Sequence, residues 1–277
     1  MPVFDFLQVD VFCSAAFKGN PVAVVLGADG LSDAEMAAFA NWTNLSETTF
    51  LLRPTRPEAD YRLRIFTPQR ELPFAGHPTL GSCHAWLKAG GVPRGADIVQ
   101  ECQAGLVTVR RGSDGGLAFA APPLVRSGPL EPEVLSRVLS AFGLAAEDIV
   151  ASAWVDNGPG WLALMLPSRA AVLAARPAYA AIDGMVVGLV GPWEPGGEAQ
   201  FEVRAFIGRG AYEDPVTGSL NASLAQWLTG EGLAPDRYVA AQGTALGRAG
   251  RVTVAREPDG IWIGGATRTC ITGRVTF

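Results

Sequence analysis

The chain has 277 residues, 48% of them hydrophobic and 18% charged, which suits a large buried core in two lobes of ordinary size and excludes a disordered chain. Its formal net charge is −5 and Lys and Arg form no cluster, so neither nucleic acid nor an anionic membrane is expected as a partner. The N-terminus lacks a basic, apolar leader, no uncharged run reaches the roughly 18 residues of a spanning helix, and Cys13, Cys83, Cys102 and Cys270 form no CxxC pair; the expectation is a cytoplasmic protein without disulfides.

Taken in order, Leu7–Phe12 alternates as a strand should, and the apolar run Pro21–Leu26 follows the turn Lys18-Gly19-Asn20. Ser32 with Glu35 predicts a capping box and a helix carrying Met36, Phe39, Ala40 and Trp42. The turn Thr43–Glu47 leads into a strand at Thr48–Leu52, and YRLRIF at Tyr61–Phe66 alternates as a half-buried strand. Pro78 fits the first position of a helix running to about Lys88, with Gly76 and His77 at its edge and Gly90-Gly91 as its stop. Strands are predicted at Ile98–Cys102, Leu106–Arg110 and Leu117–Ala120, punctuated by Gly105 and by a turn over Gly112–Gly116. The stretch Pro122–Pro129 reads as a linker between lobes at 1–121 and 129–266, with a last strand at about 267–277 returning to the first.

Beyond the linker, Pro132–Phe142 is an amphipathic helix closed by Gly143. Ile149–Val155, Trp161–Leu166 and Met185–Val190 read as strands, and Ser168–Ala175 and Tyr179–Asp183 as helix. FEVRAF at Phe201–Phe206 repeats the period of YRLRIF, with Arg204 matching Arg64 and Phe206 matching Phe66. A second helix follows Gly218, and strands at Tyr238–Gln242, Gly250–Ala255, Ile261–Gly264 and Thr269–Phe277 complete the chain. The two longest runs without a formal charge, Leu72–Leu87 and Pro215–Gly230, occupy equivalent places after a strand and a turn. An internal repeat of one α+β unit is therefore expected, with the two turns facing each other.

Each turn opens a helix whose first N–H groups are unpaired and partly positive, so two of them make a site for a small carboxylate without Lys or Arg. The lack of charge nearby predicts a dry setting, where a carboxyl group can exchange protons near neutral pH. Glu47, His77 and Asp214 are the titratable candidates; read singly, Glu47 is also a solvated turn acid, His77 a capping imidazole and Asp214 a helix cap. His77 and His84 would stand about 10.5 Å apart along a helix, too far to share a metal. No GxGxxG, GxxxxGK[ST] or GxSxG is present, which lowers nucleotide-dependent and esterase chemistry.

The blocks QVDVFCSAAFKGNPVAVVL, NLSETTF, RIFTPQRELPFAGHPTLG, EDPVTGS and QGTALGRAG resemble, in order and spacing, those of the phenazine-biosynthesis PhzF-like family, whose fold is that of diaminopimelate epimerase. The resemblance spans nearly the whole chain. It implies an α+β fold of two similar lobes, each a curled, mostly antiparallel sheet around a central helix, with the active site between them. It implies Glu47 as catalytic acid/base with His77 and Asp214 as partners, and ligand contacts from Asn20, Ser46, Gly76, Thr217, Gly218 and Ser219. It implies no metal, no organic cofactor and a homodimer.

Epimerases and racemases of this architecture use a cysteine on each lobe, whereas the turns, aligned as Ala75-Gly76-His77 with Asp214-Pro215-Val216, hold no thiol, and Cys83 falls inside a helix. The expected function is a cofactor-independent isomerase that moves a proton on a small carboxylate. An epimerase or racemase of the same fold and a non-catalytic binding protein stay open as alternatives.

Overall fold

The computed structural model describes residues 1–112 and 115–277, so the turn expected across Gly112–Gly116 lies partly outside the described residues. The chain divides into two compact units, Met1–Ala120 with Gly264–Phe277, and Ala121–Ile263. Each is α+β, with a mostly antiparallel sheet and few helices.

In the first unit the strands pair in the order Leu117–Ala120, Gly105–Arg111, Ile98–Cys102, Tyr61–Phe66, Glu47–Leu52, Asn20–Val25, Val3–Val11 and Thr267–Thr276. Two of the pairings are parallel, Asn20–Val25 with Glu47–Leu52 and Tyr61–Phe66 with Ile98–Cys102. Helix α1, Asp33–Thr43, carries the expected Ser32/Glu35 capping box and buries Met36 and Ala40 with Phe50 and Phe66. Helix α2, Gly76–Lys88, has every residue from Gly76 to Cys83 buried, and it touches strands from both ends of the pairing order, Leu117–Ala120 and Thr267–Thr276, besides Val3–Val11 between them. The sheet therefore curls round α2. Contact is close enough that a Cβ on Gly81 would lie 2.3 Å from Val22 Cγ1, which is why the helix tolerates glycine in its middle despite the entropic cost.

Pro78 is the third residue of α2 rather than the first. The first turn has no intrahelical acceptors for its N–H groups, so proline is harmless there too. The sequence gives no way to choose between these positions.

The second unit repeats the plan. Its strands pair in the order Arg126–Gly128, Ala151–Asp156, Trp161–Met165, Val186–Pro192, Phe201–Ile207, Arg237–Gln242 and Gly250–Glu257, again with two parallel pairings. Arg126–Gly128 falls in the segment expected to be linker; it is instead an edge strand paired with Trp154–Asp156. Helix α3, Pro132–Phe142, ends at Gly143 in the left-handed region (φ 64°) and packs Phe142 against Phe206. The short helix α4, Arg169–Ala174, is followed by a single 3-10 turn at Tyr179–Ile182. Helix α5, Gly218–Gly230, matches α2 at 13 residues and seats Leu220 over Gly188, where a Cβ would lie 2.5 Å from a Leu220 methyl.

One side-chain arrangement shows the repeat most directly. Arg64 donates to both Glu71 oxygens, at 2.8 and 2.7 Å, and lies over the Phe66 ring. Arg204 does the same to Glu213, at 3.0 and 2.7 Å, and lies over Phe206. Each bidentate pair clamps a long strand to the short strand that leads into α2 or α5. Among the described residues, no helix is long and apolar enough to cross a membrane.

Candidate active site

Three of the candidate residues meet in the first unit. Glu47 is the first residue of its strand, opposite Val22 in parallel register, and not part of the preceding turn as its sequence suggested. His77 is the second residue of α2, and Asn20 opens the strand paired with that of Glu47. Glu47 Oε2 lies 3.2 Å from His77 Nε2, and Asn20 Nδ2 lies 3.5 Å from His77 Nδ1. Ser46, half-buried, and Gly76, buried, flank the group along the chain.

The imidazole is 5% exposed. Burial pushes its pKa down to about 3, against a raising hydrogen bond to the Pro21 carbonyl. The Glu47–His77 contact is therefore that of a neutral ring with a carboxyl group, not an ion pair. A neutral imidazole offers one N–H and one acceptor nitrogen, and Glu47 Oε2 and His77 Nε2 stand close without the geometry of a formed hydrogen bond.

Asn20 is held by a device that sequence reading did not single out. Asp10 is 2% exposed, and its carboxylate accepts from the Lys18 N–H at 3.0 Å and the Gly19 N–H at 3.0 and 3.2 Å. The turn between them places Phe12 and Phe17 at φ 60° and 66°, in the region that is costly for side chains of this size. Gly19 must be glycine, since a Cβ there would lie 2.1 Å from the Val11 carbonyl oxygen. The carboxylate thus offsets the strain of the turn that delivers Asn20.

The remaining candidates, Asp214, Thr217, Gly218 and Ser219, lie together in the second unit. Asp214 ends the strand Tyr212–Asp214 and does not cap α5. The cap position is Thr217, whose hydroxyl donates to Asp214 Oδ2. Ser219 Oγ accepts from Trp161 Nε1 at 3.0 Å, while Asn157 Nδ2 donates to the Ser219 carbonyl at 3.0 Å. Neither N-cap residue, Ala75 for α2 or Thr217 for α5, caps its own helix through its side chain, and helix starts of this kind have the donor character that suits an anion.

The register also corrects the alignment of the turns. Leu72 pairs with Ile65 as Asp214 pairs with Ala205. Counted from the helix starts, Ala75-Gly76-His77 matches Thr217-Gly218-Ser219. His77 and Asp214 are thus not equivalent positions, and the equivalent residues still include no thiol. Cys83 is a buried residue of α2, with its thiol pKa pushed up to about 12 by burial. Among the described residues, no group of three or more His, Cys, Asp or Glu could hold a metal ion.

Comparison with known proteins finds similarity along nearly the whole chain. A family model described as "Phenazine biosynthesis-like protein" matches residues 9–276. Antisense-enhancing sequence 1 of Schizosaccharomyces pombe is 36% identical, covering 99% of both chains. Trans-2,3-dihydro-3-hydroxyanthranilate isomerase of Pseudomonas chlororaphis is 34% identical over 82% of this chain and 80% of its own. A crystal structure of a PhzF-family phenazine biosynthesis protein from Enterococcus faecalis superimposes with a TM-score of 0.83 at 26% identity, covering 100% of both chains.

Proposed function

Because the chain belongs to the phenazine biosynthesis-like family, we propose that it is an isomerase that moves a proton from one carbon to another of a small carboxylate-bearing metabolite. The observation that carries the reading is the Glu47 carboxyl group 3.2 Å from a buried, neutral His77.

In the reaction proposed, the Glu47 carboxylate takes a proton from a carbon activated by a neighbouring double bond. The electron pair left behind shifts that double bond, and the Glu47 carboxyl group returns a proton to the far carbon. Electrons and atoms balance within the substrate, so no co-reactant or cofactor takes part. His77 orients the carboxyl group and serves as its proton partner, and Asn20 holds the ring. In the first unit the helix-start donor at Gly76 suits a substrate carboxylate, with Ser46 as a further contact; in the second unit Gly218 and Ser219 offer the same donors, with Thr217 as a further contact and Asp214 suited to a second polar group. Two-thiol racemisation finds no support, since the equivalent helix starts carry Ala75-Gly76 and Thr217-Gly218.

The test is incubation with trans-2,3-dihydro-3-hydroxyanthranilate, the acid named in the Pseudomonas relative, and with related small unsaturated acids, in deuterated water. The reading expects a product isomer carrying deuterium at a single new carbon. Inversion of a stereocentre without movement of a double bond would overturn it in favour of an epimerase.

A further inference from the structure

We propose that Gln242 is a positioning residue that fixes the direction of the Thr217 hydroxyl and, through it, the Asp214 carboxylate; this rests on the reading of Asp214 as a group that holds the ligand. Gln242 ends the strand Arg237–Gln242 and is fully buried at 0% exposure. Its Oε1 accepts from the Thr217 N–H at 3.0 Å and from Asn221 Nδ2 at 2.8 Å. Its Nε2 donates to the Asp214 carbonyl at 3.1 Å and to Thr217 Oγ1 at 2.9 Å.

The direction of every bond follows from two groups that have no choice. A backbone N–H can only donate, so the Gln242 atom facing Thr217 N is the oxygen. A backbone carbonyl can only accept, so the atom facing the Asp214 carbonyl is the nitrogen. Thr217 Oγ1 therefore receives an N–H from Gln242, and its own proton is directed to Asp214 Oδ2, the contact that the structure shows. Asn221, 2% exposed, donates to Gln242 Oε1 and also to the Thr217 carbonyl at 2.9 Å, which locks the amide against a flip. Hydrogen bonding thus runs one way, from Asn221 and Gln242 through Thr217 to Asp214, with the carboxylate as terminal acceptor. A buried network in which each donor meets an acceptor specifies one geometry.

Gln242→Glu keeps the size of the side chain but removes both N–H donors. The Thr217 hydroxyl would then donate to the new carboxyl group, and Asp214 would lose its anchor. Solution NMR of the ligand-free protein reads this directly: the Thr217 hydroxyl proton is expected to show its nuclear Overhauser contact to the Asp214 side chain in the wild type and in Thr217→Ser, and to position 242 in Gln242→Glu. A hydroxyl contact that stays at Asp214 in folded Gln242→Glu would overturn the proposal. With an acid that the wild type turns over, Gln242→Glu and Thr217→Val should lower kcat/KM by about 10- to 100-fold, the cost of a misplaced contact group, and Thr217→Ser should lose less than Thr217→Val. A Gln242→Glu value within about twofold of wild type would overturn the proposal equally. If no acid is turned over, the functional reading fails, while the NMR result still decides the role of Gln242.

Discussion

His77 should make the stability of this protein fall steeply with acid, and Gln in its place should remove that part of the slope. Burial lowers the imidazole pKa from 6.5 to about 3 in the folded chain, while the unfolded ring keeps its ordinary value. Between these values the unfolded state binds a proton that the folded state does not, so stability decreases as pH falls through about 6.5 and levels off only below about 3. One pKa unit is worth about 1.4 kcal/mol, so the His77 contribution between about pH 6 and about pH 4 is roughly 2–3 kcal/mol. The assay is urea unfolding of wild type and His77→Gln at several pH values in this window. Groups remote from position 77 are common to both proteins and cancel in the difference, while Glu47, in contact with His77, does not. The wild type should lose its margin over the variant, or fall further behind it, at about 1.4 kcal/mol per pH unit at most. Parallel stability curves for the two proteins across the window would refute the argument that a buried, neutral imidazole sits beside Glu47.

Three further outcomes follow from packing and pairing. Gly81→Ala puts a Cβ 2.3 Å from Val22 Cγ1 and should destabilise by about 1–3 kcal/mol, read as a lowered urea midpoint. Arg204→Met strands Glu213, whose side chain is 7% exposed, and should cost about 3–5 kcal/mol. The equivalent Arg64→Met, whose partner Glu71 is 30% exposed, should cost about 1 kcal/mol or less, so equal losses in the two variants would contradict the difference in burial. Asp10→Ala leaves the Lys18 and Gly19 N–H groups without their carboxylate acceptor and should cost about 1–3 kcal/mol in the same assay.

Much of the fold is legible in the sequence because it rests on local rules. The Ser32/Glu35 box, the alternation in YRLRIF and FEVRAF, and the uncharged runs that become α2 and α5 all report their own neighbourhood. Matching Arg64 with Arg204 already marks the repeat. Their acids Glu71 and Glu213 escaped notice because a strand's alternation says which face a side chain is on, not which residue of the next strand it meets. The same limit hid Gln242, which lies 25 residues from Thr217 in a strand whose period gives it no special standing. Asp10 reads as an ordinary polar position in an alternating strand, and only the backward turn at Lys18-Gly19 reveals its use. Asn44 and Ser46 favour a turn that would take in Glu47, and the ladder with Val22 overrides that local preference.

The central claim is that one carboxyl group, Glu47, carries the proton. Its most direct test follows an acid that the wild type isomerises, labelled with deuterium at the donor carbon, through a single turnover in ordinary water by wild type and by Glu47→Gln. The wild type should move the double bond with release or transfer of the label, and Glu47→Gln, with an unfolding free energy within about 1 kcal/mol of the wild type, should be slower by about 10²- to 10⁴-fold. Turnover of the labelled acid by Glu47→Gln at the wild-type rate would contradict the claim.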